Sequence, residues 1–302
     1  MTVESISMKN ILKTRKKGGL SLNSKNVASF SSDPKNSDST GLDPHWVTGV
    51  VDAEGSFIVF IKMNTQSDKH LVRQVQGSFE IGFHSRDLDL LYKIQSFFGG
   101  VGNITLPSTT KGATLKITRL DDLVNIILPH FKQYPLQGVK KIDYDLWEQC
   151  IELILNKEHL KEDGLNKILS IKSVLNKGLS DKLKAAFPLV KPMDKPLLEV
   201  VNIPLNPNYI SGFTEGDACF SVNISSNTNQ VIATYVVELH KKEIPLLYRI
   251  QEFFGGVGKI NAASLRNSAR FNISKKADLV RVVLPHFDTY KLQGYKLKNY
   301  LI

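Results

Sequence analysis

The chain has 302 residues, of which 42% are hydrophobic, and its formal net charge is +10. This length is enough for about two ordinary domains. It contains no apolar run near the roughly 18 residues that a membrane-spanning helix needs, so we expect no membrane span. The excess of positive charge favours a polyanionic partner, most naturally nucleic acid.

Two further classes of site are not expected. The two cysteines, Cys150 and Cys219, lack metal-ligand spacing. We therefore expect both to be reduced and half-buried, without a disulfide or a structural zinc ion. The GGVG segments at 99–102 and 255–258 do not match the GxGxxG pattern of nucleotide-binding loops, and we interpret them as tight turns between a helix and a strand.

Residues 1–40 are rich in Ser, Asn and Lys and show neither helical nor strand periodicity. This composition predicts a disordered leader or arm. Its stretch MKNILKTRKKGGLSLNSKN (8–26) is basic and nearly free of acidic residues. Three interpretations of it stay open: an organelle transit peptide, an arm that binds DNA, or the remnant of an upstream reading frame.

The rest of the sequence contains two copies of one set of segments. QSFFGGVGNI at 95–104 is matched by QEFFGGVGKI at 251–260, and LPHFKQYPLQGVKK at 128–141 by LPHFDTYKLQGYKLK at 284–298. Both offsets are 156 residues (251 − 95 and 284 − 128), which indicates a duplicated domain. Each copy opens with a short apolar helix, and we expect Asp43 and Asn206 to be the N-caps of these helices, each followed by a proline.

Two strand-like segments, an amphipathic helix, a hairpin and a last helix follow each opening helix. The fold class is therefore α+β, with two pseudo-symmetric αββαββα subdomains. The acidic helix and the QxFFGG segment are 41 residues apart in the first copy and 34 in the second (95 − 54 and 251 − 217); we assign the extra seven residues to the turn between the first two strands. The predicted parts are a leader (1–40), a first repeat with a helical tail (41–187), a linker (188–205) and a second repeat without the tail (206–302).

Small residues lie four apart on each opening helix, at Gly49 and Ala53 in the first copy. Residues four apart share a helix face, and small ones let two helix backbones approach closely. The second copy repeats this arrangement with Gly212 and Gly216. The sequence therefore predicts that the two opening helices pack on these faces, as a pseudo-dimer with one shared active site.

Packing of this kind would bring Glu54 and Asp217 together at the helix C-termini. Two carboxylates there repel each other, and each faces the negative end of a helix dipole. A bound cation or a raised pKa makes the arrangement tolerable. Oxygen ligands and a phosphate substrate favour Mg²⁺, with the backbone carbonyls of Ala53 and Gly216 as further ligands.

VTGVVDAEG (47–55) and ISGFTEGDA (210–218) resemble the LAGLIDADG motif. Residues 42–302 resemble a single-chain, two-motif LAGLIDADG homing endonuclease of the fungal mitochondrial type, to which the QxFFGGVG, ITR-x-x-DL and HFxxYPL segments also conform. The resemblance implies a DNA endonuclease that cuts across the minor groove, with two antiparallel sheets as a DNA-binding saddle and Glu54 and Asp217 as metal-binding acids. It also implies a mitochondrial location. The second motif departs from the family pattern at Glu215 and Ala218.

Phosphodiester hydrolysis needs an activated water and stabilisation of phosphate charge, which bound divalent metal ions supply. We expect Mg²⁺, with Mn²⁺ as a substitute and Ca²⁺ binding without cleavage. Lys140 and Lys296, again 156 residues apart, are predicted to be catalytic residues that steady the water network or the phosphate; solvated surface lysines are the alternative. His130 and His286 are predicted to be fold residues.

Each sheet would cover about 10 base pairs, so a monomer would bind about 20 base pairs of duplex. Base reading needs polar side chains on the sheet face away from the helices, a face that also carries Ile58 and Phe60. The candidates on that face are Ser56, Lys62, Asn64, Gln74, Gln76, Ser78, Glu80, Ser221, Asn223, Ser225, Thr234 and Glu238.

Two alternatives to the endonuclease stay open. One is a maturase that binds its host intron RNA and assists splicing, with or without residual nuclease activity. The other is a DNA-binding protein that has lost cleavage.

Overall fold

The computed structural model describes residues 41–63, 72–108, 111–199, 203–224, 231–262 and 267–301. The predicted leader and two candidate DNA-binding residues, Asn64 and Ser225, lie outside these ranges. The chain forms two compact units. One comprises Val47–Ile203, and the other comprises Pro204–Ile302 together with the segment that ends at Trp46. None of the helices in the described ranges is long and apolar enough to cross a bilayer.

The first repeat has the predicted order of elements. Its strands pair antiparallel in the order β1-β2-β4-β3. In chain order its elements are α1 (Pro44–Glu54), β1 (Gly55–Met63), β2 (Val72–His84), a 3₁₀ turn (Ser85–Asp87), α2 (Leu88–Phe97), β3 (Asn103–Thr105), β4 (Gly112–Ile117), α3 (Leu120–Asp122), a π turn (Leu123–Ile127) and α4 (Leu128–Gln133).

The predicted helical tail follows this repeat and supports its first strand. The Trp147 indole N–H donates to the carbonyl of Ile58 at 3.2 Å, and the Asn176 amide donates to the carbonyl of Phe57 at 2.6 Å. Residues 188–199 then run without regular secondary structure. The elements of the tail are α5 (Lys140–Leu155), a 3₁₀ turn (Glu158–Leu160), α6 (Glu162–Lys172) and α7 (Asp181–Ala186).

The second repeat has the same topology, and its sheet order is β5-β6-β8-β7. Its elements are α8 (Pro207–Asp217), β5 (Ala218–Ile224), β6 (Val231–His240), a 3₁₀ turn (Lys241–Glu243), α9 (Ile244–Phe253), β7 (Lys259–Ala262), β8 (Ser268–Ile273), α10 (Lys276–Asp278), a π turn (Leu279–Val283), α11 (Leu284–Thr289) and α12 (Tyr295–Leu301).

Both opening helices begin at the predicted residues. The Asp43 carboxylate accepts hydrogen bonds from the backbone N–H groups of His45 (2.8 Å) and Trp46 (3.3 Å). Asn206 accepts one from Asn208 at 2.8 Å. These bonds satisfy helix N–H groups that have no intrahelical acceptor, so the predicted caps are confirmed.

Five of the seven extra residues of the first repeat lie in its first two strands, and the turn to which we assigned all seven lies outside the described residues. Strands β1 and β2 have 9 and 13 residues, whereas β5 and β6 have 7 and 10. The first hairpin is therefore longer at its outer end. Because side chains alternate with a period of two, the two residues added to β1 leave the face of every other side chain in that strand unchanged.

A π turn interrupts the last helix of each repeat, which the sequence had not indicated. The N–H of Leu128 bonds to the carbonyl of Leu123, five residues back, and the second repeat has the same bond between Leu284 and Leu279. A proline follows each of these leucines. Since proline has no N–H and its ring crowds the carbonyl four residues back, the wider π spacing accommodates it within the helix.

The core of each repeat lies between its sheet and its helices. Phe57 of β1 packs edge-on against Phe131 of α4, with ring centroids 5.4 Å apart. Phe220 and Phe287 make the same contact in the second repeat, at 5.1 Å. Because strand residues alternate, this packing leaves the other face of each sheet turned away from the helices.

Candidate functional site

Each opening helix carries two acidic residues in different surroundings. Glu54 and Asp217, the last residues of α1 and α8, are partly exposed. Asp52 and Glu215, two residues earlier, are each only 6% exposed. Solvent reaches the partly exposed pair, called the exposed acids below, whereas the buried pair must be satisfied within the protein.

The buried acids hold a loop. The Asp52 carboxylate accepts two hydrogen bonds through Oδ2, from the backbone N–H groups of Gln137 (2.6 Å) and Gly138 (2.9 Å). The Glu215 carboxylate accepts the equivalent pair through Oε1, at 2.5 and 2.9 Å, from Gln293 and Gly294. Glu215, a departure from the family pattern, therefore makes the same bonds as the aspartate of the first repeat.

The two predicted catalytic lysines reach back to the opening helices. Lys140 Nζ donates to the carbonyls of Val51 and Ala53, at 3.0 Å each. Lys296 Nζ donates to the carbonyls of Thr214 (2.9 Å) and Gly216 (2.6 Å). Both lysines are therefore part-buried and bonded to the backbone, and their catalytic role stays a prediction. Each places a positive charge at the negative end of a helix dipole, beside the exposed acid of its repeat.

The donors near each helix end fit a hard cation. They are one carboxylate, from Glu54 or Asp217, and one backbone carbonyl, from Ala53 or Gly216. Each carbonyl already accepts a lysine hydrogen bond and keeps a second lone pair. Within the described ranges, no group of three or more His, Cys, Asp or Glu residues could hold a metal ion. A site with a small number of protein ligands, all of them oxygen atoms, suits an ion such as Mg²⁺, which retains several bound water molecules.

The paired histidines belong to the packing of the opening helices, as expected. The Thr48 hydroxyl lies 3.1 Å from His130 Nε2 and donates to the carbonyl of Tyr134. Ser211 lies at the same distance from His286. Burial lowers the pKa of His286 to about 3, so this ring is neutral at neutral pH.

A close backbone contact supports the predicted role of the small residues. Within one compact unit, a Cβ added to Gly212 would lie 1.9 Å from the backbone carbonyl oxygen of Trp46. Only glycine permits this approach. The meeting of Glu54 and Asp217 at the helix ends stays a prediction.

The residue after the exposed acid differs between the repeats. A Cβ on Gly55 would lie 2.5 Å from Val51 Cγ1 and 2.7 Å from the Val51 carbonyl oxygen, so glycine is required there. Ala218 occupies the matching position with φ −116° and ψ 164°. Any residue adopts this extended conformation without strain, so Ala218 does not distort the end of α8.

On the first sheet, most predicted DNA-binding residues lie on the face away from the helices, between buried neighbours such as Phe57, Val59 and Phe79. The prediction that Ser78 contacts DNA is corrected, because its side chain is fully buried and its hydroxyl donates to Glu80 Oε1 at 2.9 Å. It supports Glu80 and offers no free surface. The predicted residues that are exposed or partly exposed here are Ser56, Lys62, Gln74, Gln76 and Glu80.

On the second sheet, Asn223 and Glu238 are exposed, while Ser221 and Thr234 are partly exposed. Cys219 is also exposed, although we expected it to be half-buried. It alternates with Phe220, which packs against the core, and therefore shares the outer face with Ser221.

Two basic residues on the outer faces of the sheets, Lys116 on the first sheet and Arg270 on the second, were missed by the sequence analysis. Lys116 pairs with Glu80 across the strands at 2.7 Å and lies over the Phe60 ring, 4.4 Å from its centroid. Arg270 pairs with Glu238 at 3.5 Å. The alternation in GATLKI (112–117) and SARFNI (268–273) is a signal that could have identified both, because their polar residues are spaced by two.

A sequence profile described as "LAGLIDADG endonuclease" matches residues 47–151 and 210–302. "Probable intron-encoded endonuclease 3" of Neurospora crassa is 34% identical over 263 residues, which cover 85% of this chain and 48% of that protein. The chain spans about half the length of the curated relatives it matches.

Solved structures are also similar to this chain over most of its length. The LAGLIDADG homing endonuclease I-GzeII in complex with its DNA target is 33% identical, with a TM-score of 0.79 over 86% of this chain and 87% of that one. I-SmaMI bound to an uncleaved DNA target in the presence of calcium ions is 32% identical, with a TM-score of 0.79 over 86% and 88%. The fold, the two motifs and these matches establish that the chain belongs to the LAGLIDADG endonuclease family.

Proposed function

We propose that this chain is a site-specific DNA endonuclease that hydrolyses phosphodiester bonds in both strands of a long duplex target. The observation that carries the proposal is the helix end that both repeats share. Each repeat presents a partly exposed acid, and a lysine bonded to the carbonyls of the same helix turn. Solved relatives named as complexes with a DNA target support a DNA substrate.

In the proposed mechanism, Glu54 and Asp217 would hold divalent ions together with the carbonyls of Ala53 and Gly216. Such ions, when bound, lower the pKa of a water molecule and stabilise charge on the phosphate oxygens. Lys140 and Lys296 fix the carbonyls of the helix end, through the hydrogen bonds described above. Their ammonium groups also add positive charge where the phosphate would lie.

Mg²⁺ is the proposed ion, with Mn²⁺ as a substitute. The relative bound to an uncleaved target in the presence of calcium ions supports the use of divalent ions. It is also in keeping with the proposal that Ca²⁺ binds here without supporting cleavage, because Ca²⁺ takes more ligands at longer distances than Mg²⁺.

The outer faces of the two sheets are the proposed DNA-reading surfaces. Polar side chains in the major groove distinguish base pairs, and the two faces differ in sequence, which favours an asymmetric target of about 20 base pairs. The monomer would act as a pseudo-dimer. The residues proposed for reading are Ser56, Lys62, Gln74, Gln76, Glu80, Ser221, Asn223, Thr234 and Glu238, joined by Lys116 and Arg270.

A mitochondrial origin is proposed from the resemblance to fungal mitochondrial endonucleases and from the intron-encoded relatives. The maturase alternative is not favoured, because the solved relatives are named as DNA complexes. The predicted division into leader (1–40), first repeat with tail (41–187), linker (188–205) and second repeat (206–302) is part of the proposal.

A cleavage selection on a randomised duplex library tests the function. The full chain is incubated with Mg²⁺ and, as the matched control, with Ca²⁺. We expect one long site, cut in both strands with Mg²⁺ only. Duplex binding without cleavage under either ion would contradict the endonuclease, and binding of host intron RNA would then be measured to test the maturase.

A further inference from the structure

The buried acids of the opening helices have no role in the mechanism above. We propose that Asp52 and Glu215 are positioning residues, and that each sets the place of the lysine in its own repeat. Asp52 would act on Lys140, and Glu215 on Lys296. This inference deepens the proposed function and rests on it.

The first step is the hold of each acid on its loop. Asp52 uses one oxygen for the N–H groups of two successive residues, Gln137 and Gly138. Two donors from adjacent peptides fix the orientation of the loop as well as its distance. Because the carboxylate is 6% exposed, water competes little for these bonds, and bonds to a charged acceptor are the stronger kind.

The second step is the short path from the loop to the lysine. Lys140 is two residues after Gly138 and is the first residue of α5. Its Nζ returns to the carbonyls of Val51 and Ala53, the residues on either side of Asp52. Acid, loop and lysine therefore form a closed ring, in which a shift of the loop must shift the ammonium group.

The second repeat forms the same ring of acid, loop and lysine from different residues. Glu215 is one methylene longer than aspartate, and its neighbours are Thr214 and Gly216 in place of Val51 and Ala53. Lys296 still bonds to the carbonyls on either side of the acid. The ring is thus retained across these substitutions.

Lysine reactivity tests the positioning directly. The full chain, without DNA, is pulse-acetylated, and the rate at each lysine is read by mass spectrometry. In Asp52→Ala we expect the rate at Lys140 to rise about tenfold, because its charge-assisted bonds loosen, while Lys296 in the intact repeat keeps its rate. Glu215→Ala should give the reverse.

Lys296 and Lys140 thus serve as each other's internal control. An unchanged rate at Lys140 in a folded Asp52→Ala chain would overturn the proposal, as would an equal rise at both lysines. If Asp52→Ala does not fold, Asp52→Asn carries the same comparison, because asparagine has the same shape and is a weaker acceptor; we then expect a smaller rise confined to Lys140.

Cleavage of each strand tests whether the positioning serves the reaction. The target from the selection is labelled on one strand or the other, and both rates are measured. Because Asp52 and Lys140 are joined in one repeat and Glu215 and Lys296 in the other, Asp52→Ala should slow one strand about tenfold more than the other, and Glu215→Ala should reverse the bias. Equal slowing of both strands would overturn the proposal. The acetylation result needs no cleavage, so a chain that never cuts DNA would contradict the proposed function alone.

Discussion

The two repeats agree at the ends of their opening helices and differ on their sheets. Each helix end has an exposed acid, a buried acid bonded to two loop amides, and a lysine bonded to two carbonyls. The sheets share their topology and the aromatic contact beneath them but differ in length, since β1 and β2 are longer than β5 and β6. Under the proposed function, the duplicated chain kept one chemistry and acquired two DNA-reading surfaces.

The largest expected effect comes from the exposed acids. Glu54→Gln and Asp217→Asn should each lower double-strand cleavage by about 10³-fold or more, because each removes a proposed metal-binding charge. Duplex binding, measured in Ca²⁺ by gel shift, should stay near that of the unmodified chain. If a variant still linearised plasmid at the rate of the unmodified chain, the substituted residue would not be a metal ligand. The two helix ends would then not be equivalent.

A large loss of stability is expected at the close backbone contact. Gly212→Ala should lower the free energy of unfolding by about 3 kcal/mol, because the new Cβ would meet the rigid Trp46 carbonyl. Urea unfolding followed by circular dichroism measures this. Gly82→Ala is the matched control, since the nearest atom to its Cβ is Thr114 Oγ1 at 3.9 Å, and it should change stability by about 0.5 kcal/mol or less. Equal losses would contradict the contact.

A smaller effect follows from the buried histidine of the second repeat. The pKa of His286 is about 3 in the folded chain and near 6.5 when unfolded, so the unfolded chain binds the proton first as pH falls. Stability from the neutral ring is present above pH 6.5 and is lost below it, by about 2 kcal/mol between pH 7 and pH 5. Urea unfolding at both values should show this difference, and His286→Gln should reduce it. An unchanged pH dependence in the variant would exclude His286 as its source.

The smallest effect distinguishes the two sheets. Glu80 and Lys116 lie 2.7 Å apart with side chains 20% and 39% exposed, whereas Glu238 and Arg270 lie 3.5 Å apart and are 44% and 56% exposed. We expect Glu80→Gln to cost about 1 kcal/mol of stability and Glu238→Gln about 0.3 kcal/mol, because exposed pairs are weak. Both should relax base preference in the cleavage selection. A larger stability loss for Glu238→Gln would reverse this order.

Much of the fold could be predicted from local sequence. The fixed offset of 156 residues identified the duplication, and the Asp43–Pro44 and Asn206–Pro207 pairs marked the helix starts. Strand alternation placed side chains such as Gln74 and Asn223 on the outer face. Each of these depends on residues close together in the chain or on direct repetition, which a sequence displays.

The inner structure of the site could not be predicted, because its partners are distant in sequence. Asp52 bonds to Gln137, 85 residues away, and Lys140 bonds to Val51, 89 residues away. No periodicity records such distances. The burial of Ser78 was missed for a related reason, since alternation assigns a face and does not say what covers it.

The unequal surroundings of the two cysteines offer a practical handle. Cys150 is buried, and burial raises the pKa of its thiol to about 12, so at neutral pH it has almost no reactive thiolate. Cys219 is exposed on the outer face of the second sheet, two residues after Asp217. A maleimide dye should therefore attach to the unaltered chain at one position. Its fluorescence would report on the docking of a duplex in real time, without any engineered cysteine.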